Sequence, residues 1–253
     1  MSDQSKRVAL VIGGGSGMGL ASVRALAAAG HIVIVADRDG EAAKRAADEI
    51  KAAGGEAMSY EIDGSSVSQL KTLFLFIEKT YRRLNVLFSN IGMRGPMGLD
   101  MLEAQFDEVI DVNVKSHFFA THFAVPIMKL SAPHASIIYM ASAGSLKAGG
   151  RCPLYNISKA AVPMMARSVA RELGPAGIRV NAICPGSIET SFPRWSTFTP
   201  EGRKAMIDEV SLNIPLGRIG QPDDVAGMVA FLASDQSMFI TGASIPIDGG
   251  DLA

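Results

Sequence analysis

The chain has 253 residues, 48% of them hydrophobic, with a formal net charge of −1. That composition suits one α/β domain and excludes a disordered chain. It offers neither the basic footprint of a nucleic-acid binder nor a polybasic membrane patch. No window approaches the 18 or so consecutive apolar residues of a membrane span, and the N-terminal apolar stretch is too short for a signal peptide. Two cysteines, Cys152 and Cys184, with no CxxC and no Cys/His ligand spacing, argue against a disulfide framework and against a metal site, and fit a reducing, cytoplasmic setting.

In chain order, residues 7–12 (RVALVI) read as a buried strand, followed by glycines and a helical pattern that stops at Gly30. Residues 31–37 (HIVIVAD) form the next strand, and an alanine-rich amphipathic helix follows. A third strand ends near Asp63, residues 66–82 read as a helix, and LNVLFSN as a fourth strand. A long amphipathic helix fits 103–130, ASIIYMAS is a fifth strand, and a helix carrying Tyr155 follows. IRVNAICPG is a sixth strand, 222–233 a helix, and ASIPID a short last strand. This alternation with continuously apolar strands predicts a doubly wound, Rossmann-type parallel sheet of about seven strands, helices on both faces, in a single domain over 1–253. The stretch 187–215 lacks a clear period and is expected to be a mobile substrate flap; it holds the single tryptophan, Trp195.

The turn GGGSGMG (13–19) joins the first strand to the first helix. Such a turn lets a backbone approach a pyrophosphate at a helix N-terminus, where free N–H groups favour anions. The spacing Gly13, Gly17, Gly19 is G-x-x-x-G-x-G, which differs from the G-x-G-x-x-G fingerprint. Asp37 ends the second strand 18 residues after Gly19, where a carboxylate can accept from ribose hydroxyls and repel a 2′-phosphate. Arg38 is the complication, since it could pair with that phosphate; with no basic residue in the glycine turn, NAD is favoured over NADP. Ser142 follows the fifth strand, at the sheet edge where open α/β folds bind ligands. Asn113 is a polar residue among apolar neighbours in the long helix. Tyr155 and Lys159 stand four apart and share a helix face, so the ammonium is expected to pull the phenol's pKa down.

Together these motifs resemble the short-chain dehydrogenase/reductase family in its single-domain form, over nearly the whole length. The family's T-G-x-x-x-G-x-G turn is matched from Ile12, in place of threonine, to Gly19. Its N-N-A-G loop is matched by Ser89-Asn90-Ile91-Gly92, with two departures. The resemblance implies a catalytic tetrad of Asn113, Ser142, Tyr155 and Lys159, with Asn113 placing a water that links Lys159 to solvent. It implies dinucleotide contacts at Gly13, Ser16, Gly17, Met18, Gly19, Asp37, Arg38, Asp63, Gly64, Asn90, Ile91, Gly92, Tyr155, Lys159, Pro185, Gly186, Ile188 and Thr190. Ser142, Tyr155, Met93, Gly186 and Trp195 would face the substrate. The expected activity is hydride transfer between NAD and a secondary alcohol or ketone, in a homotetramer with no metal. The alternatives are an NADPH-dependent reductase of the 3-oxoacyl-carrier-protein type and a catalytically idle nucleotide-binding regulator on the same fold. Lys147 and Arg151 flank the expected cleft as candidate attractors of an anionic substrate, Met93, Met140 and Cys152 as an apolar lining, and the four histidines read as structural.

Overall fold

The computed structural model describes residues 6–149, 151–190 and 199–253. Seven strands form one sheet: β1 (Val8–Ile12), β2 (Ile32–Asp37), β3 (Glu56–Glu61), β4 (Val86–Ser89), β5 (Ala135–Met140), β6 (Ile178–Pro185) and β7 (Ser244–Ile247). Their order is β3-β2-β1-β4-β5-β6-β7, and every pairing is parallel. The order reverses between β1 and β4, so the crevice beyond the carboxyl ends of those two strands is the binding edge of such a sheet.

The strand sequences explain the two-faced cover. Val8, Leu10 and Ile12 of β1 join one buried cluster, with residues of α3 (Val67–Tyr81), α5 (Ser116–Lys129) and α6 (Pro153–Leu173). Ala9 and Val11 point the other way, against α1 (Gly17–Ala28), α2 (Gly40–Ala52) and α8 (Pro222–Ala233). Successive side chains alternate faces, so a strand apolar at every position must be buried on both. Fully burying each Val, Leu or Ile contributes roughly 1.5–3 kcal/mol.

Two elements differ from the sequence expectation. The helix expected over 103–130 is interrupted: α4 (Glu103–Ile110) runs into a π-helical turn, Asp111–Lys115, before α5 begins. At the end of that turn the Ser116 N–H donates five residues back to Asp111, and its hydroxyl donates to the Val112 carbonyl at 2.5 Å. The hydroxyl thus satisfies a carbonyl that the wider turn would otherwise strand. The second difference is α7 (Pro200–Ser211), inside the stretch expected to be irregular. Thr199 caps it, its Oγ1 accepting from Gly202 N–H at 3.2 Å, and Pro200 takes the first helical position. Met206, Ile207 and Val210 of α7 pack on Ile214 and Ile219. Residues 191–198, including Trp195, lie outside the described residues.

Candidate active site

The glycine turn leaves β1 with Gly13 at φ +81°, a left-handed conformation, and a Cβ on Gly13 would come within 2.6 Å of the Asn90 carbonyl oxygen. Both constraints call for glycine. Asn90 reciprocates by donating its Nδ2 to the Gly13 carbonyl at 2.8 Å, locking the ends of β1 and β4 together. A Cβ on Gly19 would collide with that same carbonyl. Ser16, at the N-cap of α1, makes no side-chain cap bond, and the first turn holds no carboxylate. The helix end therefore keeps free N–H groups and a positive dipole, the features a pyrophosphate requires. Thr190 closes over this turn from the end of β6, its Cγ2 3.4 Å from where a Gly17 Cβ would stand.

Asp37 is held in place by the turn it serves. Gly15 N–H donates to its Oδ2 at 2.9 Å and Asp39 N–H to its Oδ1 at 3.1 Å. Arg38 points elsewhere, into a cavity of about 550 Å³ that it lines with Asp63, Ser65, Asp107, Glu108, Asp111 and Val112. Four carboxylates face the guanidinium of Arg38 and the ammonium of Lys115, which pairs with Asp111 at 2.8 Å, and leave that cavity net negative. Asp63 is itself braced by Ser65, whose N–H and hydroxyl donate to Oδ1 at 2.9 and 2.7 Å.

The departures in the two loops prove to be coupled. A Cβ on Gly64 would lie 2.5 Å from Ile91 Cδ1 and 3.2 Å from Ile12 Cγ2, so Ile12, Gly64 and Ile91 form one apolar contact. The hydroxyl lost at Ile12 is replaced by packing. Ser89, the other departure, is buried, and its hydroxyl pairs with His117 Nδ1 at 2.6 Å. Burial, first, and the nearby Lys159 push the His117 imidazole well below its usual range, so it stays neutral.

Asn113, fully buried, stands in the π-helical turn. Its Oδ1 accepts from Met93 N–H at 2.8 Å, and its Nδ2 donates to the Met93 carbonyl at 2.8 Å and to Ser158 Oγ at 2.9 Å. One amide hydrogen is thereby used on the loop after β4 and the other on α6. Ser142, extended at the end of β5, caps a short 3₁₀ turn by accepting from Gly144 N–H at 3.1 Å, and its hydroxyl stands close enough to the Tyr155 phenol to hold that group's pKa down. Lys159 is 2% exposed; its Nζ donates to the carbonyls of Met140 at 2.8 Å and Ile91 at 3.2 Å, and Gly92 must lack a Cβ to admit it. No carboxylate is among these partners, and burial pulls its pKa down to about 7.

The expectation that Lys159 lowers the Tyr155 pKa is corrected here. Burial pushes the phenol up, opposed by the nearby Ser142 hydroxyl and then by the charge of Arg94. The amine is turned to the two carbonyls and is itself driven toward neutrality, so it is not the cation that acts on the phenol. Pro163 adds a local reason for Lys159's setting, because it has no N–H for the Lys159 carbonyl one turn back. Gly186 and Ile188 sit after β6, where a Gly186 Cβ would press on Asp248 at 2.8 Å and Ile188 bridges to Gly220. Pro185 closes the strand. Lys147 and Arg151, the cations singled out in the sequence, are both exposed, Lys147 donating to the Asp251 carbonyl at 3.4 Å. Ser158 and Arg94 escaped sequence reading. Ser158 lies inside the Y-x-x-x-K segment, and Arg94 is the first cation after the β4 loop, which was the available signal.

Among the described residues no group of His, Cys, Asp or Glu is placed to hold a metal ion, and no helix is long and apolar enough to cross a membrane. The family model described as enoyl-(acyl carrier protein) reductase matches residues 13–251. The chain belongs to the short-chain dehydrogenase/reductase family. It is 34% identical to the cyclohexanol dehydrogenase of an Acinetobacter species over 97% of this chain and 94% of that one. It is equally 34% identical to the 3-oxoacyl-(acyl-carrier-protein) reductase of Thermotoga maritima, over 96% and 97%. Among solved structures, an actinorhodin polyketide ketoreductase with NADPH superposes with a TM-score of 0.90 at 29% identity, covering 99% of this chain and 98% of that one. The chain is therefore an oxidoreductase acting on CH–OH groups with a nicotinamide cofactor.

Proposed function

We propose that this short-chain dehydrogenase/reductase interconverts a secondary alcohol and its ketone, with NAD as the preferred cofactor. The observation that carries the reading is the Ser142–Tyr155 hydroxyl pair beside a buried Lys159 at the carboxyl edge of β5. The glycine turn, the uncapped end of α1 and Asp37 fit a dinucleotide; Gly13, Ser16, Gly17, Met18 and Asn90 would seat it and Thr190 would close over it. The bound dinucleotide supplies or accepts the hydride. Tyr155 exchanges the proton at the substrate oxygen. Ser142 donates a hydrogen bond to that oxygen and stabilises the charge developing on it. Lys159 turns its N–H groups to the nicotinamide ribose, and Asn113 holds the Met93 loop that walls the site.

NAD is favoured because Asp37 is anchored where ribose hydroxyls would lie, and because Arg38 faces a cavity whose carboxylates disfavour a phosphate. A reductase using NADPH is the second reading, supported by the similarity to the 3-oxoacyl reductase and to the ketoreductase. The exposed apolar side chains Phe106, Phe118, Ile157 and Met164 on α4, α5 and α6 support assembly into a homotetramer. The deciding experiment measures turnover of a panel of secondary alcohols and ketones with NAD and NADP side by side, for wild type and Asp37→Ala. The wild type is expected to prefer NAD. The variant should bind NAD more weakly by roughly 1.5–3 kcal/mol, the range of charge-assisted hydrogen bonds. Faster turnover with NADP in the wild type overturns the preference.

A further inference from the structure

The loop after β4 carries a cation that the hydride-transfer chemistry leaves unused. Met93 is gripped through both its N–H and its carbonyl by Asn113, so the residue that follows leaves the loop in a fixed direction. The loop is tied down twice more. Gly95, at φ +70°, packs so closely on α4 that a Cβ would come 2.5 Å from Val109 Cγ2, and Gly98 N–H donates to the Arg151 carbonyl at 2.8 Å. Arg94 is thus a half-buried side chain on a rigid mount.

Its polar partners are poor. Nε donates to Cys152 Sγ at 3.1 Å, and Nη2 faces Met97 Sδ at 3.8 Å. Thiol and thioether sulfurs are weak acceptors, while a guanidinium carries five donors. Among the described residues no carboxylate lies within 4.0 Å of it. Half-buried guanidinium groups are normally matched by an anion, because removing the charge from water is costly without one.

The direction in which it points supplies the second observation. Cys152 is the N-cap of α6 and makes no side-chain cap bond, and the first turn of α6 contains no acidic residue. Arg94 therefore meets the positive end of a 21-residue helix whose first turn holds Tyr155. A guanidinium and a helix N-terminus converge within reach of the reacting phenol, and the charge of Arg94 is felt there.

We infer that Arg94 is a specificity-determining residue that binds the carboxylate of a hydroxy-acid or keto-acid substrate. The inference rests on the proposed alcohol–ketone activity for its reacting centre, with Arg94 fixing the far end of the substrate. A planar carboxylate matches the fork of a guanidinium better than a neutral group does, so the gain lies in orientation as well as charge.

The test uses matched pairs: 2-oxobutanoate, 3-oxobutanoate and 4-oxopentanoate, each against its methyl ester, reduced with NADH by the wild type, Arg94→Gln and Arg94→Lys. The wild type is expected to favour the acid over its ester in kcat/KM for at least one pair. Arg94→Gln should cut that acid-to-ester ratio about ten- to hundredfold, the range of charge-assisted hydrogen bonds, with partial return in Arg94→Lys. A purely structural arginine would lower acid and ester alike, so a ratio unmoved by Arg94→Gln overturns the inference, as does a wild type that prefers every ester. Calorimetric titration of the same keto acids into the protein with NAD, a pair that cannot exchange a hydride, separates this inference from the activity itself. If nothing turns over but a keto acid binds the wild type at least tenfold tighter than Arg94→Gln, the anion site stands and the alcohol–ketone reading fails. If no keto acid binds, the inference fails whatever the esters do.

Discussion

Asn113 and Lys159 are both buried beside the same loop, and they are buried on opposite terms. Every hydrogen of the Asn113 amide has an acceptor, and its oxygen has a donor. Lys159 has two carbonyls and no counter-charge, and its pKa falls to about 7 as a result. The first side chain stabilises the loop it grips. The second stores a penalty that the fold bears so that an amine stands under Gly92. Satisfied polar groups organise a site, and under-satisfied ones mark where a ligand group belongs.

The sharpest test of the site is at Tyr155, the proton-exchanging group one turn before that amine. Tyr155→Phe keeps the ring and removes the exchangeable proton. Its kcat should fall about 10²–10⁴-fold, the usual worth of general acid–base catalysis. Retention of more than a tenth of the activity would show that Tyr155 is not the group that exchanges the proton. Asn113→Ala should act on stability first, because it strands the Met93 N–H and the Met93 carbonyl and removes a donor from Ser158, whose hydroxyl keeps its bond to the Tyr155 carbonyl. At roughly 1–3 kcal/mol for each buried orphan, a loss of about 3–5 kcal/mol is expected in chemical denaturation. A loss under 1 kcal/mol would mean that water replaces the amide freely.

Lys159→Met should have the opposite sign. The folded pKa of Lys159 lies near 7, below its ordinary value of 10.5. Between those limits the unfolded chain binds more protons, so wild-type stability rises with pH across that window, and the penalty is fully present below it. Without added dinucleotide, Lys159→Met should therefore be more stable than wild type at pH 6, by on the order of 2–4 kcal/mol. That advantage should shrink toward pH 10. Melting curves at both pH values check it, and a pH-independent difference would show that the amine is not desolvated. The smallest effect is expected for Ser158→Ala, which leaves a single Asn113 amide hydrogen without its acceptor. It should lose about 1–2 kcal/mol with the other Asn113 bonds kept; a loss as large as that of Asn113→Ala would place the weight on Ser158 instead.

Much of this arrangement was legible in the sequence because its signals are local. The strands β1, β2, β4, β5 and β6 announce themselves as largely apolar runs, and the glycine turn, Asp37 and the Y-x-x-x-K spacing each sit within a few residues. The interrupted helix was not legible, because the π turn at Asp111–Lys115 carries no proline or glycine to mark it in the sequence. Helix α7 was passed over although Thr199 and Pro200 are a readable start, since its apolar side is short and packs only on Ile214 and Ile219. The direction of the Tyr155 pKa failed for a different reason. Spacing shows which groups can meet, while desolvation depends on what the rest of the chain lays over them.

The contact of Ile12, Gly64 and Ile91 also links the sizes that positions 64 and 91 can take. A chain with Ile91 already present and any side chain at position 64 would have to force a methyl group aside, since the Cβ and Ile91 Cδ1 would be 2.5 Å apart. A chain with glycine at 64 and alanine at 91 would merely have a small void, a loss of about 1 kcal/mol per missing methyl. Gly64 and Ile91 are therefore coupled in size: a side chain at 64 needs the end of Ile91 to turn aside, and a smaller residue at 91 makes room for it.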